Sequence, residues 1–210
     1  RKVHQVLQIT EDRHFLGQGF ELFGHVAGPL FSQLVGLFRR GRATIGSDRI
    51  LDSTSALELS DIPESMLVVG GGYIGLELGS AYAALGTRVS VVEMTDGLIP
   101  PADRDLIKPL ARRLEHELEQ IMLGTKVVGV EEDGDAVRVA FESADGSFSG
   151  NYDKLLVAVG RKPNSAGLGL EQTSVKLDEK GFVLVDTQRR TAAPSIFAVG
   201  DVAGEPMLAH

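Results

Sequence analysis

The stretch Leu67-Val68-Val69-Gly70-Gly71-Gly72-Tyr73-Ile74-Gly75-Leu76-Glu77-Leu78-Gly79 decides the fold of this chain. An apolar run enters a glycine turn, a helical pattern follows, and a second apolar run ends in Glu93. Gly70 permits a tight turn, Gly72 lets the backbone approach a diphosphate, and Gly75 lets the helix pack closely on its strand. The pattern predicts a dinucleotide-binding strand–helix–strand unit whose helix N-terminus faces the phosphates.

The surroundings of these glycines make the motif specific. The chain contains 25 glycines in 210 residues, so a bare match could arise by chance. Here a helical apolar pattern follows the turn and Gly86 ends it; the pattern consists of Ile74, Leu78, Tyr82 and Leu85. The alternative is a glycine-rich turn in another kind of βα unit. The acid at the end of the next strand argues against that alternative.

Glu93 indicates which nucleotide is bound. A carboxylate at the end of the second strand accepts hydrogen bonds from the adenine ribose hydroxyls and repels a 2′-phosphate. A site for NADP needs a positive charge just after that strand, and the first one here is Arg104. The sequence therefore favours NAD over NADP; the alternative for Glu93 is a solvated acid at a strand end.

Composition excludes several function classes. The net charge of −8 argues against nucleic-acid binding. The chain has no cysteine, which excludes disulfides and thiol chemistry carried by its own residues, and its five histidines show no metal-ligand spacing. The apolar stretch 20–38 contains Glu21, His25 and Pro29, so a membrane helix is not expected. We expect no signal peptide and a cytoplasmic protein.

The patterning beyond the glycine turn predicts the rest of an α/β domain. A capped short helix follows Leu51, with Asp52 or Ser53 as the cap, and a second helix spans 103–116 with Leu106, Leu110 and Leu114 on one face. Short strands are expected at 121–123 and 155–160. Between them lies an antiparallel meander of 126–131, 136–141 and a third strand near Phe148, with turns at Gly134 and Gly146.

These elements predict a Rossmann-like dinucleotide-binding domain with a parallel sheet and a three-stranded antiparallel meander over residues 62–161. Residues 1–61 and 162–210 read as parts of another domain, with 11–47 as the least regular stretch. A strand is expected within 1–10. In the tail, the runs Phe182–Val185 and Ile196–Asp201 are predicted strands that lack enough partners.

Six motifs in order resemble those of flavoprotein pyridine nucleotide–disulfide oxidoreductases, a family with two dinucleotide-binding domains. Within the family, Glu93 and the ending Pro206–His210 favour the dihydrolipoamide-oxidising branch. The motifs are Arg49–Thr54, Gly70–Glu77, Val92–Met94, Val159–Asn164, Ile196–Asp201 and Pro206–His210.

The resemblance implies cofactors and site residues. The complete family member passes electrons from dihydrolipoamide through a cysteine pair and FAD to NAD⁺, as a homodimer within a 2-oxo-acid dehydrogenase complex. It implies that Glu77 lies near the nicotinamide and that Asp201, Met207, Leu208 and Ala209 lie along FAD. The NAD-lining residues would be Gly70, Gly72, Tyr73, Ile74, Gly75, Glu93 and Gly160.

Departures from the family pattern matter equally. The first glycine fingerprint, the cysteine pair and the dimerisation domain are not in this sequence, so we expect a fragment that lacks catalytic residues of its own. Residues 11–47 also depart, since Ala43-Thr44-Ile45-Gly46-Ser47 runs directly into Asp48. Two alternatives stay open: an NADH-dependent reductase of the same superfamily with another acceptor, and a non-catalytic nucleotide-binding module.

Overall fold

A computed structural model of the chain describes residues 5–7, 46–205 and 207, with the backbone alone at 5–7. The described residues fall into two compact units. One contains residues 46–159, and the other contains residues 160–207 with the strand at 5–7. The irregular stretch predicted at 11–47 lies outside the described residues except for its last two positions. The predicted domain boundaries at 61/62 and 161/162 remain predictions.

Within the described residues, the first unit contains eight strands: β2 (Ile50–Leu51), β3 (Ser65–Val69), β4 (Arg88–Val92), β5 (Gln120–Met122), β6 (Lys126–Asp133), β7 (Ala136–Ser143), β8 (Gly146–Tyr152) and β9 (Lys154–Val157). Five of them form a parallel sheet with strand order β2-β9-β3-β4-β5. A separate antiparallel sheet has the order β6-β7-β8. This confirms the predicted combination of a parallel sheet and a three-stranded meander. The helices are α1 (Ser53–Leu57), α2 (Tyr73–Ala84) and α3 (Arg104–Glu117).

The parallel sheet is the middle of three layers. Side chains alternate along β3, so Met66 and Val68 pack with the helices while Leu67 and Val69 pack with the meander. Both faces of the strand are covered, which explains why it reads as a continuous apolar run rather than an alternating one. On the meander side, the buried ring of Phe141 stacks on Phe148 at a centroid distance of 4.9 Å.

Helix α2 forms where the apolar pattern predicts it, and of that pattern Tyr82 is buried while Ile74 and Leu78 are half-buried. The expected stripe included Ile74 and Leu85, but Leu85 is 52% exposed. The buried residues are Gly75, Leu76, Gly79 and Tyr82. A Cβ at Gly79 would touch Val68 and Val89 at 3.4 Å, so the two glycines bring the helix backbone directly against the sheet. The apolar pattern predicted the helix correctly but counted only large side chains, so it left out these two glycines.

Helix α3 shows a similar correction. Leu106, predicted to share one face with Leu110 and Leu114, is 70% exposed, whereas Ile107 and Leu114 are buried. Residues 107, 110, 111 and 114 follow the i, i+3, i+4, i+7 stripe, and Leu106 lies about 100° away from Ile107. The helix itself and its range match the prediction closely.

Helix α1 begins as predicted. The Asp52 side chain accepts hydrogen bonds from the N–H groups of Thr54 and Ser55, and the Ser55 hydroxyl accepts one from the Asp52 N–H. This reciprocal capping box stabilises a helix of only five residues. Among the described residues, no helix is long and apolar enough to cross a membrane.

The second unit has little regular structure in its described residues. Strand β10 (Ile196–Ala198) pairs in parallel with β1 (Gln5–Leu7), which confirms strands at both places. The predicted strand Phe182–Val185 is wrong, because within the described part of the chain the run forms only an isolated antiparallel bridge, between Val183 and Leu177, and no ladder. The Val183 N–H donates to the Val202 carbonyl, and the Leu184 N–H donates to that of Lys176. The hydrophobicity of this run serves burial of Phe182 and Val183 rather than a ladder.

Candidate nucleotide-binding site

The glycine turn lies where three parallel strands end. Gly70 follows β3, Glu93 follows β4, and Ala158 follows β9. Since the strands are parallel, their carboxyl ends meet at one edge of the sheet, and the Gly70 N–H donates to the Val92 carbonyl at 2.9 Å. From β3 the chain continues outward on one side to β4 and β5 and later returns to the other side of β3 as β9, so the strand order reverses at β3. The edge is therefore a topological switch point, where open α/β sheets bind ligands.

Two of the predicted glycines are required by close backbone contacts. Gly70 has φ +108°, and a Cβ there would lie 2.5 Å from the Ala158 carbonyl oxygen. A Cβ at Gly75 would lie 2.4 Å from the Gly70 carbonyl oxygen. The turn and the first turn of α2 therefore close on each other with no room for a side chain.

Gly72 differs, because it faces open space. A Cβ there would have no atom within 4 Å, and Gly72 is the N-cap of α2 without a side chain to cap it. The start of α2 thus presents backbone N–H groups and the positive end of the helix dipole to an accessible surface. Tyr73 and Ile74 are half-buried on this first turn, and Glu77 is exposed further along α2.

Glu93 is buried against the glycine turn rather than solvated. The residue is only 9% exposed. One carboxylate oxygen, Oε2, accepts the Gly71 N–H at 2.7 Å, and the other, Oε1, accepts the Thr95 N–H at 2.8 Å and the Thr95 hydroxyl at 2.9 Å. Charge-assisted bonds of this kind fix the position of a carboxylate.

Gly71 is a site residue that the sequence reasoning missed. A Cβ at this position would lie 2.8 Å from the Leu98 side chain and 3.0 Å from Glu93 Cβ. Its carbonyl accepts the N–H of Ile99 at 2.9 Å. Ile99 has φ +43°, a strained value for a β-branched residue. The only signal in the sequence was the run of three glycines, of which the fingerprint uses two.

Arg104, the first positive charge after Glu93, is engaged by the loop between them. Its guanidinium donates to the carbonyls of Leu98 at 3.1 Å, Ile99 at 2.8 Å and Ala102 at 2.8 Å. A Cβ at Gly97 would lie 2.4 Å from Arg104 Nη1, so the guanidinium packs directly on this glycine. Arg104 therefore holds the loop that follows β4.

In the second unit, Arg161 joins two residues predicted along FAD. Its Nη2 lies 3.0 Å from Asp201 Oδ2, and its Nη1 donates to the Met207 carbonyl at 2.8 Å. Gly160 has φ +148° and open space beside its Cα. Leu208 and Ala209, also predicted along FAD, lie outside the described residues. Sequence reasoning treated Arg161 as a loop residue and missed its position.

Comparison with known proteins assigns the chain to a family. Residues 31–210 match the family described as pyridine nucleotide-disulphide oxidoreductase. The chain is 47% identical over 163 residues to the dihydrolipoyl dehydrogenase of Vibrio parahaemolyticus, which covers 77% of this chain and 34% of that protein. It is 44% identical over 164 residues to the protein of that name from Thermus scotoductus, covering 77% and 36%.

Solved structures give the same result. The chain is similar to LpdA from Mycobacterium tuberculosis, with a TM-score of 0.67, 31% identity, and coverage of 77% of this chain and 35% of that one. It is also similar to the HOCl-induced flavoprotein disulfide reductase RclA from Escherichia coli, with a TM-score of 0.65, 33% identity, and coverage of 75% and 35%. The chain spans about a third of the length of the curated relatives it matches. It belongs to the pyridine nucleotide-disulphide oxidoreductase family.

Proposed function

We propose that this chain is the NAD(H)-binding part of a dihydrolipoamide dehydrogenase, in which dihydrolipoamide is oxidised by NAD⁺ through FAD and a cysteine pair. The observation that carries the proposal is the Glu93 carboxylate, buried and anchored to the Gly71 N–H at the end of β4. Relatives of 44–47% identity named dihydrolipoyl dehydrogenase support the choice of reaction.

The residues at the sheet edge fit a dinucleotide. When bound, NAD⁺ would supply the hydride acceptor of the reaction. The N-terminus of α2 would receive the diphosphate, since Gly72 leaves open space there and the helix dipole favours an anion. Glu93 would accept hydrogen bonds from the adenine ribose and repel a 2′-phosphate. Arg104, occupied by loop carbonyls, is poorly placed to attract that phosphate.

The remaining assignments follow the family resemblance. Tyr73, Ile74 and Gly160 would line NAD, and Glu77 would lie near the nicotinamide. Asp201 would hydrogen-bond FAD, with Met207, Leu208 and Ala209 along the flavin edge; the bond from Arg161 to the Met207 carbonyl supports an ordered backbone at this place. We also propose a cytoplasmic homodimer within a 2-oxo-acid dehydrogenase complex, and the absence of cysteine is compatible with a reducing compartment.

The chain alone should not reduce NAD⁺ with dihydrolipoamide. It contains no cysteine, so it cannot accept electrons from the dithiol in the way the proposed reaction requires. An assay that follows NADH absorbance, with and without added FAD, should show no turnover above the protein-free rate. Sustained turnover by the purified chain would contradict the prediction that electron transfer from dihydrolipoamide requires a cysteine pair that this chain does not contain.

A calorimetric titration tests nucleotide binding directly. NADH should bind at micromolar to sub-millimolar strength, about −5 to −8 kcal/mol, and NADPH much more weakly. Glu93→Gln should weaken the binding of NADH at least tenfold, because the amide is a poorer acceptor than the carboxylate. It should also narrow the difference in affinity between NADH and NADPH, because the amide lacks the charge that repels the 2′-phosphate. Glu115→Gln, an exposed position on α3, is the matched control. Equal binding of NADH and NADPH by the unchanged chain would contradict the assignment of Glu93.

A further inference from the structure

The hydroxyl of Thr95 lies between two acceptors. Thr95 Oγ1 is 2.9 Å from Glu93 Oε1 and also 2.9 Å from the Gly97 carbonyl oxygen. A hydroxyl carries one hydrogen, so it can donate to only one of these acceptors at a time. Turning the hydrogen from one to the other requires only rotation about the Cβ–Oγ bond.

The number of acceptor positions on Glu93 makes this choice matter. A carboxylate has about four lone-pair positions. Three donors use them here: the Gly71 N–H on Oε2, and the Thr95 N–H and hydroxyl on Oε1. One position is left, whereas a ribose brings two hydroxyls. Release of the Thr95 hydroxyl would make a second position available on Oε1.

We propose that Thr95 is the positioning residue for Glu93. Its hydroxyl donates to the carboxylate before nucleotide binds, and turns to the Gly97 carbonyl when a ribose hydroxyl takes its place on Oε1. This inference rests on the proposed binding of NAD(H) by Glu93. The Thr95 N–H remains on Oε1 throughout, so the side chain keeps its orientation while one acceptor position changes partner.

The surrounding loop is built to keep both acceptors in place. The Ile99 N–H donates to the Gly71 carbonyl, and the Arg104 guanidinium packs on Gly97 and binds the carbonyl of Leu98. These contacts hold the Gly97 carbonyl beside the Thr95 hydroxyl, at 2.9 Å. Without the Thr95 hydroxyl, Glu93 loses one of three anchors before binding, and the Gly97 carbonyl loses a donor afterwards.

Titration of four forms of the full 210-residue chain with NADH and NADPH tests the proposal. Thr95→Val removes the hydroxyl and keeps the shape of the side chain, and it should weaken the binding of NADH five- to tenfold. Thr95→Ser restores the hydroxyl and should stay within twofold of the unchanged chain. Thr87→Val is the matched control, since it removes a buried hydroxyl that bonds the Pro63 carbonyl at the opposite end of β4. It should also stay within twofold.

The outcomes separate the two proposals. Weak NADH binding by Thr95→Val together with near-normal binding by Thr95→Ser supports the role of Thr95. A general loss of affinity caused by removing a buried hydroxyl would appear in Thr87→Val as well. Strong NADH binding that Thr95→Val leaves unchanged, or equal weakening in Thr95→Ser, overturns this inference alone. An unchanged chain that binds neither nucleotide overturns the proposed function and this inference with it. Circular dichroism checks folding, and Thr95→Ala repeats the test with less bulk if the valine variant does not fold.

Discussion

The unit of residues 46–159 and the unit of residues 160–207 differ in the interactions that stabilise each of them internally. In the first unit, two large apolar clusters cover both faces of a parallel sheet, and fully buried residues such as Leu67 and Val68 pack on opposite sides. In the second, the described core cluster contains four buried residues: Leu170, Val183, Ala198 and Val202. Area removed from water is the dominant stabilising quantity, so the two units should differ in local stability.

Local hydrogen bonds from two aspartates order turns in the second unit. Asp178 Oδ1 accepts the N–H groups of Lys180 and Phe182, and Asp186 Oδ1 accepts those of Gln188 and Arg190. The two hydrogen bonds to Asp186 lower the pKa of its carboxyl, and the Arg190 N–H makes the larger contribution. Such turns form without a sheet, because each needs only neighbouring residues. The difference shows that a chain segment can be ordered by turns where its core is too small for strands.

The largest expected effect comes from the core of the first unit. Leu114→Ala should lower the free energy of unfolding by about 3 kcal/mol, because it leaves a cavity under α3. Leu106→Ala on the same helix should change it by less than about 0.5 kcal/mol, since Leu106 is exposed. Urea unfolding followed by circular dichroism measures both. Equal losses in the two variants would show that the buried face of α3 is misassigned.

A smaller effect is expected in the second unit. Leu170→Ala should cost about 2 kcal/mol, at the low end for such a change, since few neighbours surround the side chain. Hydrogen exchange should accelerate in residues 160–205 and stay unchanged in β3. Leu168→Ala, a more exposed leucine nearby, is the control. Faster exchange throughout β3 would mean that the two units unfold together.

The smallest effect concerns an ion pair within the first unit. Buried Lys154 on β9 pairs with half-exposed Asp61, and its hydrogen bond is the main cause that lowers the pKa of Asp61. A lowered folded-state pKa stabilises above the ordinary aspartate range near 3.9, and the contribution disappears as pH falls through the folded value. Asp61→Asn should therefore cost about 1 kcal/mol at pH 7, with partial exposure of Asp61 limiting the loss.

The pH dependence provides the control for this ion pair. The difference between Asp61→Asn and the unchanged chain, measured by denaturant unfolding, should vanish at a pH below the folded pKa of Asp61. Asp145→Asn, an exposed carboxyl in the β7–β8 turn, should have little effect at any pH. A loss that persists unchanged in acid would mean that shape, rather than charge, is what Asp61 contributes.

The sequence predicted elements well where the signal is local. The α1 cap at Asp52, the hairpin turns at Gly134 and Gly146, and the glycine turn before α2 each depend on residues a few positions apart. Prediction failed where the partner is distant. Leu106 was predicted to share a face with Leu110 and the buried Leu114 but is exposed, because periodicity indicates a stripe but not which part of it meets the sheet. The run Phe182–Val185 has strand-like residues, but among the described residues it forms only an isolated bridge between Val183 and Leu177.

By itself, the sequence determined the order of strands and helices, the parallel sheet with its meander, and the position of Glu93 directly after a strand. These follow from hydrophobic period, turn chemistry and the conformational freedom of glycine, all of which act over short distances. The three-dimensional contacts were needed to show that Gly71 and Thr95 hold the Glu93 carboxylate, and that Arg104 holds the loop that follows β4. Those contacts exist because β3 and β4 lie side by side, and their adjacency depends on packing across the whole sheet.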